Sequence, residues 1–349
     1  MPRIGEAIIF GWGKEGDMSE LRWNPILKEW VATATHRMDR PQLPKDWCPF
    51  CPGSGRVPED YDVYIYPNDF PTFSIPPPEP SVEGTELFKV APSAGVCDVV
   101  LYTPEHDTTL AQLPVPHIAK LVRLWRKRFG ELAEMDEIKY VFIFENKGEV
   151  IGVTMPHPHG QIYAFPYIPP KVQRELESAE EHYGRTGRCL FCDVVEEERR
   201  DGRRVLAEGC GFFVVVPFYA RWPFEVHITS LRHIGDIREF SEEEVEGLAR
   251  VLKFVLTKYD NLYGFSFPYM MVLHQAPTDG REYPYYHFHI EFYPPYRSRD
   301  KLKYLAGCES GAGTFINDSS AEEKAAQLRE TPPYTLEDVI DPEEGRWRG

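Results

Sequence analysis

YVFIFENKGEVIGVTMPHPHGQIYAF (residues 140–165) and YMMVLHQAPTDGREYPYYHFHIEFY (residues 269–293) decide the fold, because they run in the same order. Each opens with a β-rich run, crosses a loop and reaches a strand at a His-x-His pair, His157-Pro158-His159 in one and His287-Phe288-His289 in the other. Reading outward, the likeness continues. The first stretch is preceded by Cys48-x-x-Cys51, a strand ending at His106 and a helix from 116. The second is preceded by Cys189-x-x-Cys192, a strand followed by His233 and a helix from 241. A repeated order of this kind implies a duplicated α+β unit whose copies pair into one larger, mostly antiparallel sheet flanked by helices. The copies would span residues 1–170 and 171–330, with an acidic, proline-bearing tail at 331–349. Separate domains on a linker are the alternative.

Local signals support the elements. Ile118, Leu121, Val122, Trp125 and Phe129 recur at helical spacing. Ser241 and Glu244 form a capping box ahead of Val245, Leu248, Leu252, Val255 and Tyr259. Further strands are expected at 99–103, 212–217 and 225–230, and His287 and His289 inside a strand at 287–293.

With 349 residues and 42% apolar composition, the chain can bury a sizeable core. Its 55 acidic residues against 39 basic ones give a net charge of −16, which disfavours nucleic acid and anionic membranes as partners. A small phosphate ester held by a few converging donors is compatible with that charge. No apolar run of transmembrane length and no signal peptide is read, so a cytoplasmic protein is expected. In that compartment two C-x-x-C pairs point to metal ligation, with disulfides as the alternative, while Cys97, Cys210 and Cys308 stand alone.

Within His157-Pro-His-Gly-Gln161, the strand period of two puts His157, His159 and Gln161 on one face, about 6–7 Å apart. Imidazole serves both as zinc ligand and as nucleophile, so one histidine can hold metal while its neighbour reacts. Gly160 admits a close approach of substrate, and Gln161 can donate to a phosphoryl oxygen. A tetrahedral zinc site is expected from Cys48, Cys51, His106 and His157, and a second from Cys189, Cys192, His233 and His287. A competing second set, Glu175, His274, His287 and His289, would suit iron or zinc.

These residues sit among motifs that together resemble the galactose-1-phosphate uridylyltransferases, the transferase branch of the histidine triad superfamily. From about residue 20 to 330 they include R-x-N-P (Arg22, Asn24, Pro25), H-R-x-x-R-P (His36, Arg37, Arg40, Pro41), N-D-F (68–70), F-E-N-K-G (144–148), H-P-H-G-Q (157–161), W-P-F-E (222–225), S-F-P-Y (266–269) and F-Y-P-P (292–295). Histidine triad hydrolases carry a third histidine where Gln161 stands. The resemblance implies two histidine-triad-like halves and a ping-pong reaction. His159 attacks the α-phosphorus of UDP-glucose, releases glucose 1-phosphate and passes UMP to galactose 1-phosphate. It further implies that Arg37, Arg40, Asn68, Asp69 and Phe70 hold the uridine end, that Asn146, Gly152, Thr154 and Gln161 surround the phosphates, and that Lys303, Tyr304 and Glu309 meet the hexose. His157 would ligate zinc and turn its carbonyl to the ring of His159, and a homodimer is implied, with the neighbouring chain contributing to the site.

Cys308 replaces a tyrosine common in the family, and the stretch 311–317 differs from better-known members, which leaves the hexose open. Family members lacking the second C-x-x-C hold their second metal on the set matching Glu175, His274, His287 and His289. Two other readings share the residues. One is a phosphorylase acting on an ADP-sugar or dinucleoside polyphosphate; the other is a non-catalytic zinc scaffold, which leaves His159, Gly160 and Gln161 without a purpose. Hydrolysis is disfavoured because neutral Gln161 can stabilise phosphoryl charge without activating water.

Overall fold

The computed structural model describes residues 18–40 and 47–339; Pro41 and tail residues 340–349 lie outside them. In chain order the elements are β1 (Ser19–Asn24), β2 (Glu29–Ala34), β3 (Tyr64–Pro67), β4 (Val90–Pro92), β5 (Val96–Leu101), α1 (Val115–Ala133), β6 (Tyr140–Lys147) and β7 (His159–Phe165). The chain continues through α2 (Pro170–Thr186), α3 (Leu190–Asp201), β8 (Val205–Gly209), β9 (Phe212–Val215), β10 (Val226–Ser230), α4 (Glu242–Tyr263), β11 (Tyr269–His274) and β12 (His289–Tyr293). It ends in β13 (Tyr296–Ser298), β14 (Lys301–Leu302), α5 (Gly307–Ala312) and α6 (Ala321–Arg329).

Nine strands form one sheet in the order β3-β5-β7-β6-β11-β12-β10-β9-β8, and every neighbouring pair is antiparallel. The two copies meet at β6 and β11, where Tyr269 lies opposite Lys147 and Leu273 opposite Ile143. Outward from that seam each half repeats the same succession, β7 then β5 on one side and β12 then β10 on the other. The expected α+β duplication and its single antiparallel sheet are therefore present.

Strand alternation sorts the sheet's two faces. Val141, Ile143, Ile162 and Ala164 face α1 and α4 in the main core. Phe142 and Phe165 face the opposite side, against Val172 and Leu176 of α2. On α1 the residues at helical spacing, Ile118, Leu121, Val122, Trp125 and Phe129, are fully buried. Each stabilises the fold by about 1.5–3 kcal/mol through lost water contact. The α4 capping box is made in full: Ser241 Oγ accepts from the Glu244 N–H at 3.2 Å, and the Ser241 N–H donates to Glu244 at 2.8 Å.

The structure corrects two expectations. β5 stops at Leu101, so His106 stands in the following loop; likewise β12 starts at His289, which leaves His287 just outside it. α2 and α3 carry no strong sequence signal because they bury so little: only Val172, Leu176 and Ala179 on α2, and only Glu198 on α3, are buried. As far as residue 339 the tail is docked. Leu336 and Val339 are buried, and the Lys258 ammonium donates to the carbonyls of Leu328 (2.8 Å) and Thr331 (2.7 Å).

Candidate active site and metal groups

β7 carries His159 and Gln161 half-buried on one face, with Gly160 buried on the other. His157 precedes the strand and turns away, so the expected three-residue face holds only for its last two members. The His157 carbonyl nevertheless returns to the site: His159 Nδ1 lies 2.7 Å from it. A ring N–H donating to that carbonyl fixes the tautomer and leaves the Nε2 lone pair free. Burial holds the His159 imidazolium below the ordinary histidine range, and the nearby Arg40 charge acts in the same direction against the opposing His157 carbonyl. The lowered proton affinity favours the neutral ring, whose Nε2 lone pair is chemically able to act as a nucleophile. Phe50 leans on it, ring centroids 5.6 Å apart.

Gly160 is required by packing. A Cβ there would collide with the Tyr102 hydroxyl and stand 3.1 Å from the Phe144 carbonyl oxygen. Behind it Glu145 is buried, accepting from the Tyr269 hydroxyl at 3.0 Å. Burial raises its carboxyl from an ordinary 4.5 to about 7.

Cys48, Cys51, His106 and His157 form one group and Cys189, Cys192, His233 and His287 another; in each, the ligand atoms lie within 4.8 Å of one another. All seven cysteines carry free thiols, against the disulfide alternative. Both groups fit a metal by the state of their histidines. His157 Nε2 faces the Thr103 carbonyl at 2.8 Å and His287 Nε2 the Ser230 carbonyl at 2.8 Å. Each ring therefore donates backward and turns the Nδ1 lone pair toward the thiols, the outer hydrogen bond expected of a metal-ligating histidine. Burial, with Cys48 beside it, pushes the Cys51 thiol up to about 11. A bound dication would hold it as thiolate instead.

A third group corrects the competing ligand set. Glu175, His274, His289 and Glu291 gather within the same 4.8 Å limit, while His287 belongs to the cysteines. The two second-half sets are consequently not exclusive, because His287 and His289 serve different groups. His274 Nδ1 is 2.7 Å from Glu175, and His289 Nε2 is 3.8 Å from Glu291. Glu291 was missed, although the period-two argument that joined His159 to Gln161 joins His289 to Glu291 equally well.

The remaining residues fall into two places. Arg37 donates to the Phe70 carbonyl at 2.8 Å, and Arg40 to the Thr154 hydroxyl at 3.2 Å. Asn68 accepts from the Phe70 N–H at 2.9 Å, and Asp69 pairs with Arg56 at 2.7 Å. Asn146 is on β6, and Gly152 ends a short 3-10 turn at φ 85°. All of these belong to the first half. Lys303 and Glu309 instead pair with each other at 3.1 Å, and Tyr304 is exposed. Their segment is anchored to the second half through Asn317, which donates to the Ala220 carbonyl at 2.9 Å. Among the described residues no hydrogen bond or ion pair joins Lys303, Tyr304 or Glu309 to the His159 group.

Comparison with known proteins follows this geometry. Residues 13–169 match the family model described as the galactose-1-phosphate uridyl transferase N-terminal domain, and residues 174–339 match its C-terminal domain. The galactose-1-phosphate uridylyltransferase of Thermotoga maritima is 44% identical over 316 residues, covering 90% of this chain and 99% of that protein. A solved uridylyltransferase structure superposes with a TM-score of 0.83 at 40% identity, over 89% of this chain and 97% of the other. An ADP-glucose phosphorylase from Arabidopsis thaliana, solved with ADP-glucose bound, gives 0.69 at 26% identity, over 90% and 99%. Both halves of the chain, and with them the His159 strand and the cysteine groups, thus belong to the galactose-1-phosphate uridyl transferase family.

Proposed function

We propose that the protein is a UDP-glucose:hexose-1-phosphate uridylyltransferase working through a covalent uridylyl-His159. The observation that carries this is the 2.7 Å contact between His159 Nδ1 and the His157 carbonyl, with Gln161 on the same strand face. Nε2 attacks the α-phosphorus; the N–P bond forms as the bond to the departing glucose 1-phosphate oxygen breaks. The hexose 1-phosphate acceptor then attacks the same phosphorus, and the N–P electrons return to the ring. Gln161 donates to a non-bridging oxygen without supplying a base for water.

In this reading Arg37, Arg40, Asn68, Asp69, Phe70, Asn146, Gly152 and Thr154 hold the nucleotide. Lys303, Tyr304 and Glu309 meet the hexose from a neighbouring chain, which a homodimer would bring in, and residues 1–170 and 171–330 are the two copies. Zinc is assigned to the cysteine groups on the chemistry of their donors, two thiolates and two imidazoles. The Glu175 group takes zinc or iron. Thiolate ligands suit a reducing, cytoplasmic setting.

Intact-protein mass measurement after incubation with UDP-glucose tests the reading. A UMP adduct on the native chain, lost in His159→Ala, is expected. An AMP adduct from ADP-glucose, with none from UDP-glucose, would replace it with the phosphorylase reading that the Arabidopsis likeness offers.

A further inference from the structure

We propose that the second half holds its own ligand site, a metal-dependent pocket for a phosphate monoester carrying a ring or other apolar part. This rests on reading Glu175, His274, His289 and Glu291 as metal ligands. A cavity of about 630 Å³ lies between α2, α3 and the sheet, and Glu175, His289 and Glu291 line it. That volume falls in the range of small-molecule sites. With three of the four candidate ligand residues on the wall, an ion held by them would border the cavity.

The charges favour an anion once the ion is bound. Lys171 pairs with Glu291, and Arg221 lies 3.4 Å from the same carboxylate. Glu225 is occupied by the backbone N–H groups of Arg221 (2.6 Å) and Trp222 (3.0 Å). A dication that engages Glu175 and Glu291 frees Lys171 and Arg221 as donors and leaves positive charge in excess. Leu190, Phe191 and Val194 on α3, with Phe213 and Val215 on β9, supply apolar walls for the organic part.

The cavity also stands where the first half holds its nucleophile. His289 Nδ1 lies 2.9 Å from the His287 carbonyl, as His159 lies from that of His157. Phe191 leans on His289 at 4.8 Å, as Phe50 leans on His159. Gln161 sits opposite Phe144, and Glu291 opposite Val272. The duplicate keeps the backbone placement of His159 and Gln161 at His289 and Glu291 and puts residue types able to bind a metal there.

Cobalt reconstitution of the full-length protein tests the proposal. Cobalt on the two cysteine groups gives intense thiolate charge-transfer bands, whereas the Glu175 group gives only weak ligand-field bands. Three cobalt ions per chain are expected, with a saturable shift of the weak bands on titration with UMP and weaker binding of inorganic phosphate. Lys171→Met should weaken UMP binding roughly ten-fold, the loss of about one charge-assisted hydrogen bond, while keeping three ions. Glu291→Ala should drop one ion and the response together. Weak bands unmoved by UMP at three ions per chain, or an unchanged Lys171→Met titration, would overturn the ligand site while leaving the metal group standing. Two ions in the native chain would overturn both. Phosphate binding as tightly as UMP would overturn the organic part of the assignment.

Discussion

The two halves share a backbone and differ in what they aim at the same point. On β7 the run is His159, Gly160, Gln161; on β12 it is His289, Ile290, Glu291. Each leading histidine leans on the carbonyl two residues before it and beside the phenylalanine of a C-x-x-C knuckle. In the first half the surroundings are a neutral amide and a glycine that lets Tyr102 approach. In the second they are Glu175, His274 and Glu291, close enough to share an ion. In the proposed reading, a few side-chain differences separate a nucleophile from a metal ligand on the same backbone plan. A neutral histidine next to a neutral amide can attack phosphorus, whereas a histidine among carboxylates can bind a cation.

The largest expected effect tests that contrast directly. His159→Ala should lower uridylyl transfer by roughly 10⁴-fold or more, while His289→Ala leaves transfer within a few-fold and removes one metal ion. Steady-state rates with metal analysis read both, and equal loss in the two variants would erase the distinction. Next, Gln161→His should cut kcat for transfer by roughly 10²-fold and raise UDP-glucose hydrolysis without acceptor. Glu291→Gln in the counterpart position should instead lower metal content, so a hydrolysis assay and metal analysis together separate the two.

Stability sharpens the comparison at smaller scale. Aligning Phe144 and Gln161 with Val272 and Glu291 sets Glu145 where the second half has Leu273. The raised carboxyl of Glu145, about 7 against 4.5, gives stability that is full below about pH 4.5 and lost as pH rises through 7. Glu145→Gln should therefore gain up to about 3 kcal/mol at pH 8 and little at pH 4.5. Thermal denaturation at the two pH values checks this, and a gain independent of pH would contradict it. Gly160→Ala should cost about 1–3 kcal/mol by forcing Tyr102 aside, with part regained in the Gly160→Ala/Tyr102→Phe double variant. Ile290→Val, at the corresponding place, should cost about 0.5–1.5 kcal/mol; denaturant unfolding orders the pair.

Much of this was legible one element at a time. The C-x-x-C pairs, the Ser241–Glu244 cap, the apolar stripe of α1 and the period-two placement of His159 and Gln161 all act across a few residues, where local geometry is set by residue type. α2 was not legible, since only three of its residues are buried; Glu175 was nevertheless grouped with His274 and His289, and the fold brings it to His274 across 99 positions. The sequence offered His287 to both second-half sets, and the structure keeps it with the cysteines. Two residues apart on a near-extended chain, His287 and His289 look equivalent, yet one turns to the cysteines and the other to Glu291. By itself the sequence determined the duplicated α+β plan, the strand carrying His159 and Gln161 and both cysteine groups, because those follow from short-range spacing. Only the tertiary structure decided that the two candidate ligand sets of the second half are separate, that Glu291 joins one of them and that this one lines a cavity, because packing brings together side chains that no spacing relates.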